Sequence, residues 1–316
     1  MLNIQKEISR NSCMIFQNAI EYQDQIEPLL TKAMLTMDEK QIHAWMTYKF
    51  DPSTMFCMVE DEQVVACIQV KNRIMNFKGK QCTVSYIELA ATHPDYQQRK
   101  CFGTLLDAVV QQANCNDLLS LIYTPSEKLF ESRSFLPISH TKDYWIKATQ
   151  CKEGNFRNIK KYHPSMNLYP VYKEFISHFD GSIQLTIEQF ENHISYLLAC
   201  HKKIDVMLGA NKEIKGFAIY SIWKNQIHVE TIIYLDSDAV YDLLNSLQLI
   251  CEVIKITVSQ DERFEKLFSQ IHSQKKNAVL VRLNNYKLFS KWIHHDVRNV
   301  NQAFKQVDRP IWNHFI

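Results

Sequence analysis

Glycine is scarce in this sequence, with 6 among 316 residues, whereas apolar side chains make up 46% and aromatics 11%. That balance excludes a collagenous or low-complexity fibre and a disordered chain, and it leaves ample apolar surface for a packed globular protein. No stretch approaches the roughly 20 apolar residues that span a bilayer. The opening MLNIQKEISRNSCMIF has no uninterrupted apolar segment of signal-peptide length. A cytoplasmic protein that does not enter a membrane is expected. Strong charge of either sign is also missing: 36 basic side chains face 34 acidic ones, a formal net charge of +2, which argues against nucleic acid as the main partner.

The 9 cysteines, at 13, 57, 67, 82, 101, 115, 151, 200 and 251, include no C-x-x-C pair. Reduced thiols are expected rather than a disulfide framework. The 12 histidines are dispersed as well. The adjacent pair His294 and His295 has no i, i+4 partner or nearby cysteine to complete a zinc site, so no metal is expected.

What is present is a strongly patterned chain, long enough for two domains of roughly 150 residues each. Tyr22 to Phe50 reads as two helices, with Asp38 an N-cap for the second. Met55 to Glu60, Val64 to Phe77 and Cys82 to Thr92 read as antiparallel strands separated by the turns Asp61-Glu62 and Lys78-Gly79-Lys80. Gln97 to Cys115 returns to helical period, Leu118 to Tyr123 reads as a buried strand, and a short helix from Glu127 to Arg133 leads into final strands.

The polar, irregular run CKEGNFRNIKKYHP marks a boundary, after which the order repeats. Helices are expected at Pro164 to Phe179 and Thr186 to His201. Strands follow at Ile204 to Leu208, Ile214 to Trp223 and Ile227 to Leu235. Helix Ser237 to Ile250, strand Val253 to Ser259, helix Glu262 to Ile271 and strand Ala278 to Leu283 complete the copy. The expectation is an α+β chain with one fold used twice, in largely antiparallel mixed sheets flanked by helices. The second copy opens its helix with DSDAVYDLLNSL, whose acidic residues would repel a phosphate, so it is read as non-catalytic.

Chemistry concentrates in Tyr86 to Leu106, YIELAATHPDYQQRKCFGTLL, where a strand ends, a proline loop turns and a helix begins amid clustered donors. This stretch resembles the acetyl-CoA motif of the GCN5-type N-acyltransferase (GNAT) superfamily, in which R-x-x-G-x-G/A opens a helix whose amides and positive dipole hold a pyrophosphate. Residue by residue, Pro94 matches the motif's proline, Gln97 its Arg/Gln, and Gln98 and Arg99 the following donors. Lys100 then stands where the first glycine belongs. An alternative register, Gln98-x-x-Cys101-x-Gly103, keeps the second glycine instead.

Downstream, SLIYTPSEKLFESRSFLPI resembles the family's P-S-x-x-F-Y-x-x-x-G-F/Y segment. Pro125 and Ser126 match, Leu129 takes the Phe position, Phe130 the Tyr, Ser134 the Gly and Phe135 the terminal aromatic. In the family that tyrosine is the general acid toward the coenzyme A thiolate, a role a phenyl ring cannot fill. Tyr123 and Tyr86, in neighbouring strands, are the alternatives.

A GNAT core, a second GNAT-like copy and a C-terminal extension together resemble the Eis-like acetyltransferases. The resemblance implies residues 1–150 as the acyl-CoA-binding domain, 151–275 as a GNAT-like domain without a phosphate loop, and 276–316 as a shortened sterol-carrier-like segment with a tail. It implies acetyl-CoA held by Leu89, Ala90, Ala91, Thr92, Gln97, Gln98, Arg99, Lys100, Cys101, Phe102, Gly103, Thr104, Ser126 and Phe130. It further implies Glu88 as a base acting through water, Tyr123 as the acid and the Ile316 carboxylate entering the first domain's site. The acceptor would be a primary amine on a small molecule or peptide, and family assemblies point to a homo-oligomer. Lys100 and Phe130 favour the rival reading, a GNAT-derived acyl-CoA-binding protein without turnover.

Overall fold

A computed structural model describes residues 13–147, 150 and 158–312. The first half contains β1 (Met14–Phe16), α1 (Ile26–Ala33), α2 (Glu39–Tyr48), β2 (Met55–Glu60), β3 (Gln63–Phe77) and β4 (Lys80–Thr92). It continues with α3 (Cys101–Asn116), β5 (Leu119–Thr124), α4 (Lys128–Glu131) and β6 (Leu136–Lys147). The second half contains β7 (Ile159–Lys161), α5 (Tyr169–Ile176), β8 (Ser182–Gln184), α6 (Ile187–Ala199), β9 (Lys203–Leu208), β10 (Ile214–Trp223) and β11 (Gln226–Tyr234). It ends with α7 (Ser237–Gln248), β12 (Val253–Ser259), β13 (Ser273–Leu283), α8 (Tyr286–Ile293) and α9 (Val300–Phe304).

Local chemistry accounts for most boundaries. Capping boxes start α2 and α6: Asp38 accepts from the Gln41 amide and Thr186 from that of Gln189, and each glutamine side chain closes back on the cap. With glycine so scarce, tight hairpins place other residues at positive φ. Asp61 and Glu62 (49° and 62°) turn β2 into β3, and Lys224 and Asn225 (46° and 59°) turn β10 into β11. Two successive positive φ values match the strands' right-handed twist.

All strands join one mixed sheet in the order β1-β2-β3-β4-β5-β13-β6-β12-β11-β10-β9-β7, with β8 pairing β3 off this path. The repeat is plain in the topology: a helix pair, an antiparallel meander, a crossover helix and a parallel strand occur twice. The last strands are exchanged between halves. β13 pairs β5 across Ala278–Leu283, and β6 pairs β12 from Thr141 to Lys147. The sheet therefore runs unbroken past the boundary expected near residue 150. Residues 276–283 lie within β13, in the place that β6 has in the first half.

The helix pairs α1–α2 and α5–α6 cover one side, with Leu29, Trp45, Phe175 and Ile194 buried beneath them. The crossover helices α3 and α7 bury Leu105, Leu106 and Val109, and Val240, Leu243 and Leu244, in separate cores. Each such leucine contributes roughly 1.5–3 kcal/mol by leaving water.

Two elements differ from expectation. The helix expected from Glu262 to Ile271 is only a single 3-10 turn, Phe264–Lys266, because Phe264 and Phe268 both insert into the core below α7 and Gln270 turns left-handed (φ 58°). The helix expected from Gln97 begins at Cys101, because Gln98 and Lys100 adopt left-handed backbone.

Candidate active site

The site arises where two parallel strands part. β4 and β5 pair only over Ser85–Ile87 and Ser120–Ile122. Beyond that point Gln69 of β3 faces Leu89 while Val70 faces Ile87, so Glu88 is the extra residue of a β-bulge. A bulge bends its strand and re-aims side chains. Here Ile87 packs with α3, whereas Leu89 and Ala91 pack below α1 and α2. Between the diverging strands and α3 lies a cavity of about 1390 Å³.

Among the residues expected to hold the cofactor, Leu89 to Thr92, Gln97, Gln98, Lys100 to Thr104, Ser126 and Phe130 all line this cavity, as do Glu88 and Tyr123. Arg99 does not; its guanidinium lies over the Tyr96 ring, 4.7 Å from the centroid. Ile316 lies outside the described residues.

Lys100 is the N-cap of α3 with φ 65°, no side chain caps this helix, and its first turn carries no acidic residue. Ser134, at the second motif's glycine place, has φ 62°. Lys100, at the first motif's leading glycine place, and Ser134 thus both take the left-handed conformation, which costs a non-glycine residue roughly 1–2 kcal/mol. Gly103 serves a different need: a Cβ there would meet Arg133 Nη2 at 2.8 Å. Without it the guanidinium reaches the Gly103 carbonyl (3.1 Å) while ion-pairing Asp107 (2.9 Å).

Glu88 is buried among Lys71 (3.2 Å), Lys49 (3.6 Å) and Arg73 (3.6 Å), and its Oε2 accepts from Gln69 Nε2 at 2.8 Å. Burial pushes its carboxyl up, and the three cations outweigh that and hold it below the usual glutamate range. As a proton acceptor it is correspondingly weak. Lys49 Nζ lies 2.7 Å from His193 Nδ1 and 5.6 Å from the Tyr196 ring centroid, both on α6 of the other half. Burial, with Arg73 and Lys71 adding to it and Glu88 opposing, lowers the Lys49 amine to about 8. Burial, with Lys49 and Arg73 beside it, keeps His193 neutral.

Phe130 is buried against Phe102 (5.5 Å) and Phe135 (5.7 Å). The Tyr123 hydroxyl is 3.3 Å from Thr141 Oγ1, and burial raises its pKa. Tyr86 packs in the core with Leu121 and lines neither cavity described here. A second cavity of about 570 Å³ adjoins the first, sharing Thr36, Met37, Tyr123 and Tyr196 with it. Its walls carry a connected polar chain: His228 Nε2 meets Thr257 Oγ1 (2.8 Å), which donates to Asp143 (2.6 Å), itself paired with Lys255 (2.8 Å).

The second half repeats the geometry. β11 and β12 pair only over Ile227–Val229 and Ile254–Ile256, and Glu230 is again the bulged residue, since Ile219 faces Thr231 and Tyr220 faces Val229. Lys202, following α6, pairs with Glu230 as Lys49, following α2, pairs with Glu88. Glu230 and Thr231 line the smaller cavity, and past them the two strands are bridged. Glu262 accepts from the Ser259 amide (2.9 Å) and the Tyr234 hydroxyl (3.1 Å). Residues 311 and 312 dock beside them: Ile311 N donates to Asp261 (3.1 Å), Ser259 Oγ donates to the Ile311 carbonyl (2.6 Å), and Trp312 packs on Phe175 at 5.2 Å. The described part of the tail thus rests on the second half. Crossover helix α7 is capped by Asp236, which accepts from the Ala239 amide at 2.8 Å.

Lys49, Trp45, Arg133, His193 and Tyr196 escaped the sequence reading. His193 and Tyr196 had no local signal, since an i, i+3 pair on an amphipathic helix reads as packing. Arg133 was legible only as part of the second motif.

The sequence profile of the acetyltransferase (GNAT) domain matches residues 18–133. No curated protein matches the chain. Among solved structures, a probable N-acyltransferase from Enterococcus faecalis is 13% identical with TM-score 0.71, covering 88% of this chain and 75% of that one. A GCN5-related N-acetyltransferase from Anabaena variabilis is 10% identical with TM-score 0.72, covering 86% and 73%. Eis1 from Mycobacterium abscessus is 11% identical with TM-score 0.64, covering 89% and 75%. At these identities the likeness is one of fold. The profile match lies within the first half, in a mixed sheet of the same architecture as these proteins. Among the described residues no helix is long and apolar enough to cross a membrane.

Proposed function

We propose that the chain is an acetyl-CoA-dependent N-acetyltransferase acting on a primary amine, with its site in the first half and an Eis-like two-copy architecture. The observation that carries this reading is the cavity between β4 and β5, into which the uncapped start of α3 and the unpaired edge of Leu89–Thr92 both open. Acetyl-CoA supplies an activated acyl group when bound. The residues present suit its parts: main-chain amides at the start of α3, with Lys100, Lys128 and Arg133 along the cavity wall, suit the phosphates. The free edge of β4 beyond the bulge offers main-chain groups to a pantetheine amide.

Glu88 acts here as the anchor of Lys49, Lys71 and Arg73, because a carboxyl held low is a poor base. Tyr123, at the junction of the two cavities, is the hydroxyl placed to protonate a departing thiolate. The smaller cavity, with its carboxylates and lysines, receives the polar acceptor and brings its amine to the junction.

A second reading, a binding protein without turnover, is favoured by Phe130, which puts a buried phenyl ring where the motif has its acid. Calorimetry with acetyl-CoA followed by thiol release against a panel of amines separates the two. Binding with thiol release supports the enzyme, and binding without release for any amine supports the rival. Absence of binding overturns both.

A further inference from the structure

We infer that the Lys49 amine is itself an acyl acceptor, so that the chain acylates its own Lys49 from the thioester bound in the cavity beside it. The inference rests on the acetyl-CoA reading and adds an internal substrate to it.

Four observations converge on this side chain. Lys49 lines the large cavity together with Glu88 and Leu89, the residues at the bulge where β4 and β5 part. Its side chain is only 8% exposed. Its Nζ is held from both halves of the molecule, at 3.6 Å from Glu88 of β4 and 2.7 Å from His193 of α6, so its position is fixed without external ligands. Finally, three cations share one carboxylate there.

The third of these cations is the adjustable one. Arg73 is permanently charged, and Lys71 has its ammonium directed at Glu88 and at the Lys49 carbonyl. Neutralising Lys49 leaves two cations for Glu88 and relieves the excess. The groups facing Lys49 from every neighbouring element are Glu88 on β4, Lys71 and Arg73 on β3, and His193 and Tyr196 on α6. Burial, helped by Arg73 and Lys71 and opposed by Glu88, lowers the amine to about 8, so that near neutral pH an appreciable share is the unprotonated nucleophile.

The step balances without another reactant. The neutral Nζ attacks the acyl carbonyl carbon, an N–C bond forms, and the C–S bond breaks with its electron pair leaving on sulfur. Tyr123, which lines the same cavity, gives its proton to the departing thiolate, and the proton lost from Nζ replaces it. The products are an Nε-acyl-Lys49 amide and the coenzyme A thiol. Neither water nor an external amine takes part.

The test uses the full chain and two readouts. Incubation with acetyl-CoA, in the absence of any amine and with binding verified by calorimetry, should give a single hydroxylamine-stable acetyl group. Its mark is a missed tryptic cleavage between Lys49 and Phe50, suppressed by excess coenzyme A. Independently of any cofactor, competitive labelling with trace acetic anhydride should show Lys49 reactivity rising about tenfold per pH unit and levelling near 8. A free Nα-acetyl-lysine amide added as internal standard should continue to rise above that pH. If acetyl-CoA binds and Lys49 stays unmodified, or if Lys49 labels with the pH profile of that standard, the inference is overturned while the acetyltransferase reading stands. If acetyl-CoA does not bind, both fall together.

Discussion

The two halves share a topology down to a bulged glutamate and a lysine that follows the second helix, yet they treat the space beyond the bulge in opposite ways. In the first half the strands part around a cavity, and helix α3 begins with a left-handed Lys100 and no side-chain cap. In the second, Glu262, Tyr234 and Ile311 bridge the strands past Thr231, and Asp236 caps α7 at the Ala239 amide. The difference teaches that the fold supplies a ligand-sized opening wherever β4-type and β5-type strands part. Whether the opening becomes a site depends on which side chains are kept out of it.

The largest effect that tests this contrast is on turnover. Tyr123→Phe removes the proposed acid of the open half and should lower acetylation of a good amine by roughly 10²–10⁴-fold. The same rate for variant and parent, with cofactor still bound, would show that another group already protonates the thiolate.

The bulged glutamates should differ as their settings do. Glu88→Gln leaves three cations without their anion and should cost about 3–5 kcal/mol in denaturant unfolding. Glu230→Gln, opposite the more accessible Lys202, should cost about 1 kcal/mol or less. Equal costs would mean that the charge cluster at Glu88 does not set the first half apart.

The plug in the second half should reveal itself through pH. Burial raises the Glu262 carboxyl to about 7, against the Ser259, Tyr234 and Trp312 donors. Because the folded state holds this proton more tightly than the unfolded chain, the associated stability is fully present below about pH 4.5. It is lost as pH rises towards 7 and changes no further above it. Glu262→Gln should flatten that slope, worth up to about 3 kcal/mol. An unchanged slope would place the titration elsewhere.

Smaller effects follow at the helix starts. Converting both Arg99 and Lys100 to Glu should weaken acetyl-CoA binding by roughly 10–100-fold in calorimetry. Unchanged affinity would show the loop to be wrongly assigned. Asp236→Ala should cost about 1 kcal/mol of stability and leave acetyl-CoA affinity untouched. A loss of affinity there would erase the distinction between the halves.

Much of the first half was legible because its signals are local. Periodicity placed α2, α3 and β3 to within a few residues, and the Asp38 cap and the Asp61-Glu62 turn were visible as such. The two motif registers were undecidable from residue identity, since each loses a glycine. Positive φ at Lys100 supports the register that puts it in the first glycine's place. The expected helix over Glu262 to Ile271 failed because its apolar spacing, which fits a helix, served instead to bury Phe264 and Phe268 in one core while Glu262 turned inward.

By itself, then, the sequence determined the repeated order of elements, the strand–loop–helix junction over Tyr86 to Leu106 and the acidic start of its counterpart, because caps, turns and periodicity act over a few residues. Only the tertiary structure decided which strands exchange between the halves, which residue bulges, and what stands around Lys49. Those outcomes depend on contacts more than a hundred residues apart, such as Lys49 with His193 and Thr257 with Asp143 in the folded chain. Charge balance and packing select such contacts, and no local pattern along the chain encodes them.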